Sequence, residues 1–188
     1  MPRSGCVALW LVAAAPAQAF TVESSATRYA ERQFQCELTV TLDAPLERVE
    51  AVLRDYERYP TLDARILDAH IVERPADNVA LLATTLRACF GWFCLTVKRI
   101  ERVEEGPRAL DAITDGARSD VRFGETRTRL EAADEGRTRV TYSTRITPGF
   151  WIPPLVGRRW MLSRLDQATR ELFRNVEKRA NEAPAEGF

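Results

Sequence analysis

Residues 34–60 read FQCELTVTLDAPLERVEAVLRDYERYP, and the spacing of their apolar residues changes once, at Asp43-Ala44-Pro45. Before that point Phe34, Cys36, Leu38, Val40 and Leu42 alternate with Gln35, Glu37, Thr39 and Thr41, the pattern of a half-buried strand. After it Leu46, Val49, Val52 and Leu53 recur at helical spacing, which predicts an amphipathic helix over 45–54. Asp43 is placed to cap that helix, and Pro45 suits a first helical turn. Pro60 disfavours helical backbone at Tyr59, so the helical stretch is expected to end within Tyr56–Pro60.

Toward the C-terminus the period returns to two. Strands are predicted near 65–74, 78–89, 94–104, 109–114, 119–132 and 137–147. The breaks between them are short: Pro75–Asn78, Gly91, Glu105-Gly106-Pro107, Asp115-Gly116 and Asp134-Glu135-Gly136. Short breaks imply sequential hairpins and an antiparallel meander, not a parallel sheet with helical crossovers. An apolar, proline-rich stretch, PGFWIPPLVG (148–157), leads into Trp160, Met161, Leu165, Ala168, Leu172, Phe173 and Val176, spaced as one long amphipathic helix over roughly 154–180. Arg158, Arg159, Arg164, Arg170, Arg174 and Lys178 lie on its other face. Residues 20–33 read as a polar lead-in and 181–188 as a flexible tail. The expected order is strand, short helix, six strands, long helix. A seven-stranded twisted sheet must bury its concave face, and the C-terminal helix is the only long apolar stripe available. The space left between them is a natural ligand site.

The first nineteen residues read as an address. Arg3 precedes the apolar run Val7–Ala15, and Ala17-Gln18-Ala19 fits a signal-peptidase site, so the mature chain is expected to begin at Phe20. The alternative is an uncleaved anchor, although the run is shorter than the roughly 20 residues that span a bilayer. Export, with a periplasmic destination, follows. The 188-residue length suits one domain, and 27 basic against 27 acidic residues argue against a nucleic-acid binder. Cys89 and Cys94 flank a turn at Phe90–Phe93, which places them opposite each other on neighbouring strands and predicts a disulfide in an oxidising compartment.

The order of elements, together with Ala44-Pro45-Leu46-Glu47-Arg48-Val49 and Leu53-Arg54-Asp55-Tyr56-Glu57-Arg58-Tyr59-Pro60, resembles the START-like superfamily, including its polyketide cyclase/dehydrase and coenzyme Q-binding groups. The resemblance spans about residues 34–180. It implies an α+β helix-grip fold, a curved antiparallel sheet wrapped around a long C-terminal helix. It also implies a cavity for a lipid, sterol, quinone or polyketide-like molecule, with a minority of members acting as enzymes. The export signal and the cysteine pair depart from the ubiquinone-binding group.

Non-catalytic binding or transport of a hydrophobic small molecule is the leading expectation. A cyclase/dehydratase-type enzyme and an interaction module with a vestigial cavity are the alternatives. Ligand-cavity candidates are Tyr142, Thr144, Ile146, Leu165, Leu172 and Phe173. Phe150, Trp151 and Ile152 are candidates for a gate that admits ligand and touches membrane transiently, or else for a plug of the core. His70 is either a general base or an exposed strand residue. The charges of Arg122–Arg129 either line the cavity or form cross-strand ion pairs outside it. Cys36 is expected to be inert core. No metal site, cofactor or catalytic cluster is expected, and the oligomeric state stays open.

Overall fold

The computed structural model describes residues 20–90, 93–152 and 157–182. Eight strands form one antiparallel sheet: β1 (Thr21–Ala30), β2 (Gln33–Leu42), β3 (Ile66–Ala76), β4 (Val79–Phe90), β5 (Phe93–Gly106), β6 (Ala109–Thr114), β7 (Val121–Ala132) and β8 (Thr138–Pro148). Their spatial order is β1-β2-β8-β7-β6-β5-β4-β3. Strands β3 to β8 form the expected meander, and β8 closes back onto β2 with Leu38 opposite Tyr142 and Val40 opposite Val140. Helices α1 (Leu46–Arg54) and α2 (Tyr59–Leu62) fill the connection from β2 to β3, and α3 (Gly157–Glu182) crosses the concave face.

The eighth strand corrects the reading of 20–33 as a lead-in. No side chain of β1 is buried, so the strand carries no apolar alternation to read. Pairing with β2 and contacts with α3 hold it. Ser25 donates to Asp166 at 2.5 Å, Arg158 lies 4.5 Å over the Tyr29 ring, and Tyr29 packs on Phe34. The turn from β1 to β2 is Glu31-Arg32, both at positive φ (53° and 63°), where Asn-Gly is the usual solution.

Two further details differ from expectation. Asp43 does not cap α1. The N-cap is Pro45, whose carbonyl accepts from Arg48 and Val49, while the Asp43 backbone N–H donates to Glu177 at 2.8 Å. Pro60 does not exclude Tyr59 from helical backbone either. It sits in the first turn of α2, where no amide donor is needed, and the Tyr59 hydroxyl donates to the Leu53 carbonyl at 2.7 Å. The long helix extends through Glu182. The expected signal segment 1–19, residues 153–156 and the tail beyond 182 lie outside the described residues.

The core sits where α1 and the C-terminal half of α3 press on β2, β7 and β8. Leu38, Val40, Leu42, Val49, Leu53, Leu130, Val140, Phe173, Val176 and Ala180 are all buried there. Polar ties fix the same half of α3. Asn175 donates to the Leu62 carbonyl and Asn181 to the Asp43 carbonyl, and Glu177 accepts from the backbone of Phe20 and Asp43. Cys36 is a buried free cysteine, 3.8 Å from the Thr169 hydroxyl, as its place on the strand's apolar face suggested. Replacing Glu31-Arg32 by Asn-Gly is expected to stabilise the fold by about 1 kcal/mol, because left-handed backbone at two ordinary residues is relieved. The urea-unfolding midpoint of the double variant measures it.

Candidate functional site

The concave sheet and α3 enclose a cavity of about 260 Å³. Its apolar wall comes from Leu82 and Leu86 of β4, Val103 of β5, Leu110 and Ala112 of β6, Ile146 of β8, and Leu165, Ala168, Leu172 and Phe173 of α3. Leu53, Tyr56, Tyr59, Leu62, Asp63 and Ile66 close the end beneath α1 and α2. The DYERYP segment (55–60) therefore serves as an end wall. Tyr56 donates to Glu105 at 2.8 Å, and that carboxylate also pairs with Arg54 (3.1 Å) and Arg74 (3.3 Å). One partly buried carboxylate thus ties α1, the Tyr56 turn and β3 to β5.

A polar patch interrupts the apolar lining. On β5, Val97, Arg99, Glu101 and Val103 share the concave face, because side chains two apart point the same way. Arg99 pairs with Glu101 at 2.6 Å, and Glu101 is only 3 % exposed. Thr114 contributes a hydroxyl 3.5 Å from the other Glu101 oxygen. Gly124, across from Thr114, makes room for it, since an added Cβ would collide with the Thr114 hydroxyl. Thr84 faces Arg99 across β4 and β5. The Thr84 hydroxyl and the Arg99 Nε–H are buried and make no hydrogen bond. An unsatisfied buried polar group costs about 1–3 kcal/mol, so these two weaken the fold slightly.

The tyrosines complete the lining. Tyr142 packs edge-on against Phe173 with ring centroids 5.4 Å apart, and what surface it retains faces the cavity. Burial pushes its phenol up to about 12, against the opposing pull of Arg99. Burial pushes Tyr56 and Tyr59 up as well, with the Glu105 carboxylate adding to the effect at Tyr56. All three stay neutral hydrogen-bonding groups at physiological pH.

Of the residues proposed from sequence, Tyr142, Ile146, Leu165, Leu172 and Phe173 line the cavity. Thr144 lies behind that lining, buried and hydrogen-bonded to Thr126 at 3.0 Å. His70 is exposed and bonded to Asp68 at 2.8 Å, away from the cavity, and a register shift between Ile66 and Asp68 separates it from the cavity-lining Ile66. The charges of β7 form outer-face pairs, Arg127 with Glu125 and Arg129 with Asp111, while Thr126 and Thr128 of the same strand face inward. Cys89 and Cys94 are directly paired and disulfide-bonded. Trp151 is 78 % exposed and Ile152 is half-buried. Sequence reasoning missed Arg99, Glu101, Thr84, Tyr56 and Tyr59. The signal for the first two was present, as two charges flanked by Val97 and Val103 on one face of a strand. Among the described residues no cluster of His, Cys, Asp or Glu is arranged to hold a metal ion.

Residues 33–179 match the model of a family described as polyketide cyclase / dehydrase and lipid transport. No curated protein matches the sequence. The fold is similar to that of the Zhui aromatase/cyclase from Streptomyces sp. R1128, with a TM-score of 0.68 and 16% identity over 83% of this chain and 99% of that one. It is also similar to a STAR-related lipid transfer protein from Xanthomonas axonopodis, with a TM-score of 0.66 and 12% identity over 88% and 100% of the two chains. A START superfamily protein from Mycobacterium smegmatis gives a TM-score of 0.65 at 15% identity, over 79% and 97%.

The raised phenols make a pH prediction. Each unfolded tyrosine ionises near 10, whereas the folded groups keep their protons, so the unfolded chain binds fewer protons above that point. Their contribution to stability is complete below pH 10 and is lost as pH rises beyond it. Tyrosinate absorbance, assigned by single Phe replacements of Tyr56, Tyr59 and Tyr142, is expected to develop for these residues only as far-UV structure is lost. Ionisation near pH 10 in a folded chain would contradict it.

Proposed function

Because this chain belongs to the polyketide cyclase / dehydrase and lipid transport family, we propose that it is a non-catalytic carrier that binds a hydrophobic small molecule in the cavity under α3. The observation that carries the reading is the cavity itself: apolar on most sides, with one compact polar patch, the composition expected of a pocket that orients a mostly apolar ligand. At about 260 Å³ it leaves room for a small-molecule ligand. A cyclase or dehydratase would need a proton-transfer group poised near neutrality. Here the lone histidine lies outside, Tyr142 holds its proton to about 12, and Glu101 is engaged by Arg99 and Thr114. Native mass spectrometry of protein purified from its own host is expected to show a co-purifying apolar ligand. Filling the space with Ala168→Trp is expected to remove that ligand while leaving the far-UV spectrum intact. Equal ligand occupancy in the filled variant would contradict the site.

The route in lies at the start of α3. The C-terminal half of α3 is tied to β2, α1 and α2, whereas Phe150, Trp151 and Ile152 precede its less buried half, and Trp151 projects outward. This segment is the gate, with Trp151 meeting a membrane surface and Arg158 and Arg159 meeting anionic headgroups. Changing Trp151 and Ile152 to Ser is expected to weaken binding to anionic vesicles several-fold with little change in melting temperature. A large drop in melting temperature would identify a plug instead.

Export to the periplasm, with processing after Ala19, accords with the disulfide, and among the described residues no helix is long and apolar enough to cross a membrane. Processing would also serve the fold. The Phe20 backbone nitrogen lies 3.4 Å from Glu177 Oε1, and Arg174 stacks 5.1 Å over the Phe20 ring. Cleavage turns that amide into an ammonium, protonated at neutral pH, and converts a long hydrogen bond into an ion pair. A chain begun at Phe20 is expected to melt higher than one carrying extra preceding residues, and Glu177→Gln is expected to cancel the gap.

A further inference from the structure

We infer that Arg65 latches the cavity: its ion pair with Glu171 holds the turn after α2 against α3, and a ligand enters and leaves when that pair opens. The inference rests on the reading of the cavity as a ligand site, and it names the part of the wall that yields. Asp63 and Ile66 line the cavity from the turn between α2 and β3, and Ala168 and Leu172 line it from α3. The seam between these two elements is therefore part of the cavity wall, and Arg65 spans it. Its guanidinium forks onto Asp63, with Nε and Nη2 each 2.8 Å from a carboxylate oxygen, and Nη2 also reaches Glu171 at 3.2 Å. Gln167 donates to the other Glu171 oxygen at 2.7 Å and steadies that carboxylate. Side-chain exposure rises across the three, from 16% at Asp63 to 35% at Arg65 and 42% at Glu171. The group that lines the cavity thus touches groups that meet solvent, and the wall here is a single layer of side chains.

The helix is held unequally, and this decides which seam opens. Its C-terminal half is pinned by Val176 and Ala180 in the core and by the bonds of Asn175, Glu177 and Asn181. Toward β1 and β2, Asp166 accepts from Ser25, Thr169 lies against Cys36 and Arg158 covers Tyr29. Toward β3 and β4 the helix meets the cavity, and Arg65–Glu171 crosses there, one turn before Asn175. Among the described residues it is the only ion pair from α3 to the rest of the chain. An exposed pair is weak and screened by salt, so it opens without unfolding what it joins. The two-bond fork to Asp63 keeps Arg65 in place when Glu171 lets go, ready to close again. Phe150–Ile152 leads into the half of α3 that this release frees.

Stopped-flow mixing of the full mature chain with prodan, a small neutral ketone that fluoresces strongly in apolar surroundings, tests the latch. A latch sets rates and leaves affinity alone. Glu171→Gln keeps the Asp63–Arg65 fork and is expected to raise the association and dissociation rate constants together, roughly 3- to 5-fold, with Kd unchanged. Raising NaCl from about 20 mM to about 500 mM is expected to speed the wild-type chain by a similar factor and the variant hardly at all. Glu182→Gln removes the pairs with Lys178 and Arg179 at the far end of the helix, and as the control it is expected to change neither rate. Rates indifferent to Glu171→Gln, or faster dissociation with association unchanged, overturn the latch while the ligand-site reading stands. Prodan that does not bind, or that binds Ala168→Trp as well as wild type, overturns both.

Discussion

A strongly curved sheet has a concave face that one helix cannot fill, and this mismatch shapes the rest of the molecule. Where α3 is pressed down, Phe173, Val176 and Ala180 pack against β2, β8 and α1, and water is excluded. Burying a residue such as Phe173 is worth about 1.5–3 kcal/mol, so this half supplies much of the fold's cohesion. Where α3 lifts away, Leu165, Ala168 and Leu172 face space instead of protein. Close packing is the default in protein interiors, and the cavity therefore marks a place where packing gives way to another requirement.

The same division organises the polar groups. Outside, arginines and carboxylates pair along and between strands, where exposed pairs add little to stability. Inside, two carboxylates have structural positions of their own. Glu105 joins Arg54, Tyr56 and Arg74 and fixes the end wall, while Glu101 holds Arg99 on the cavity floor. Buried ion pairs are weak sources of stability, because desolvation offsets much of the attraction.

Much of this was legible in the sequence, and the gaps have physical causes. The alternation of Phe34–Leu42 and the switch at Asp43-Ala44-Pro45 are strong signals because one face of each element is fully buried. The meander and the long helix were legible for the same reason. Strand β1 was not, since its side chains are exposed or half-buried and its turn, Glu31-Arg32, lacks the Asn-Gly that announces a hairpin. Pro60 misled because its local preference was overridden by the burial of Tyr59 and its bond to Leu53. At the site, Tyr142 and the α3 residues stood out by periodicity. Arg99 and Glu101 did not, because an apolar pattern treats a charge as the outward face, and these two charges point inward.

The central claim is that the space beneath the N-terminal half of α3 receives the ligand. Methyl NMR of the full mature chain during titration with a small neutral ketone addresses it most directly. The account predicts shifts concentrated at Leu82, Leu86, Leu165 and Leu172, on the cavity wall, with Val40, Val176 and the outer residues Leu67, Val72 and Ile113 unmoved. Shifts confined to Leu67, Val72 and Ile113, with the cavity methyls silent, would place binding on the outside of the protein and contradict it.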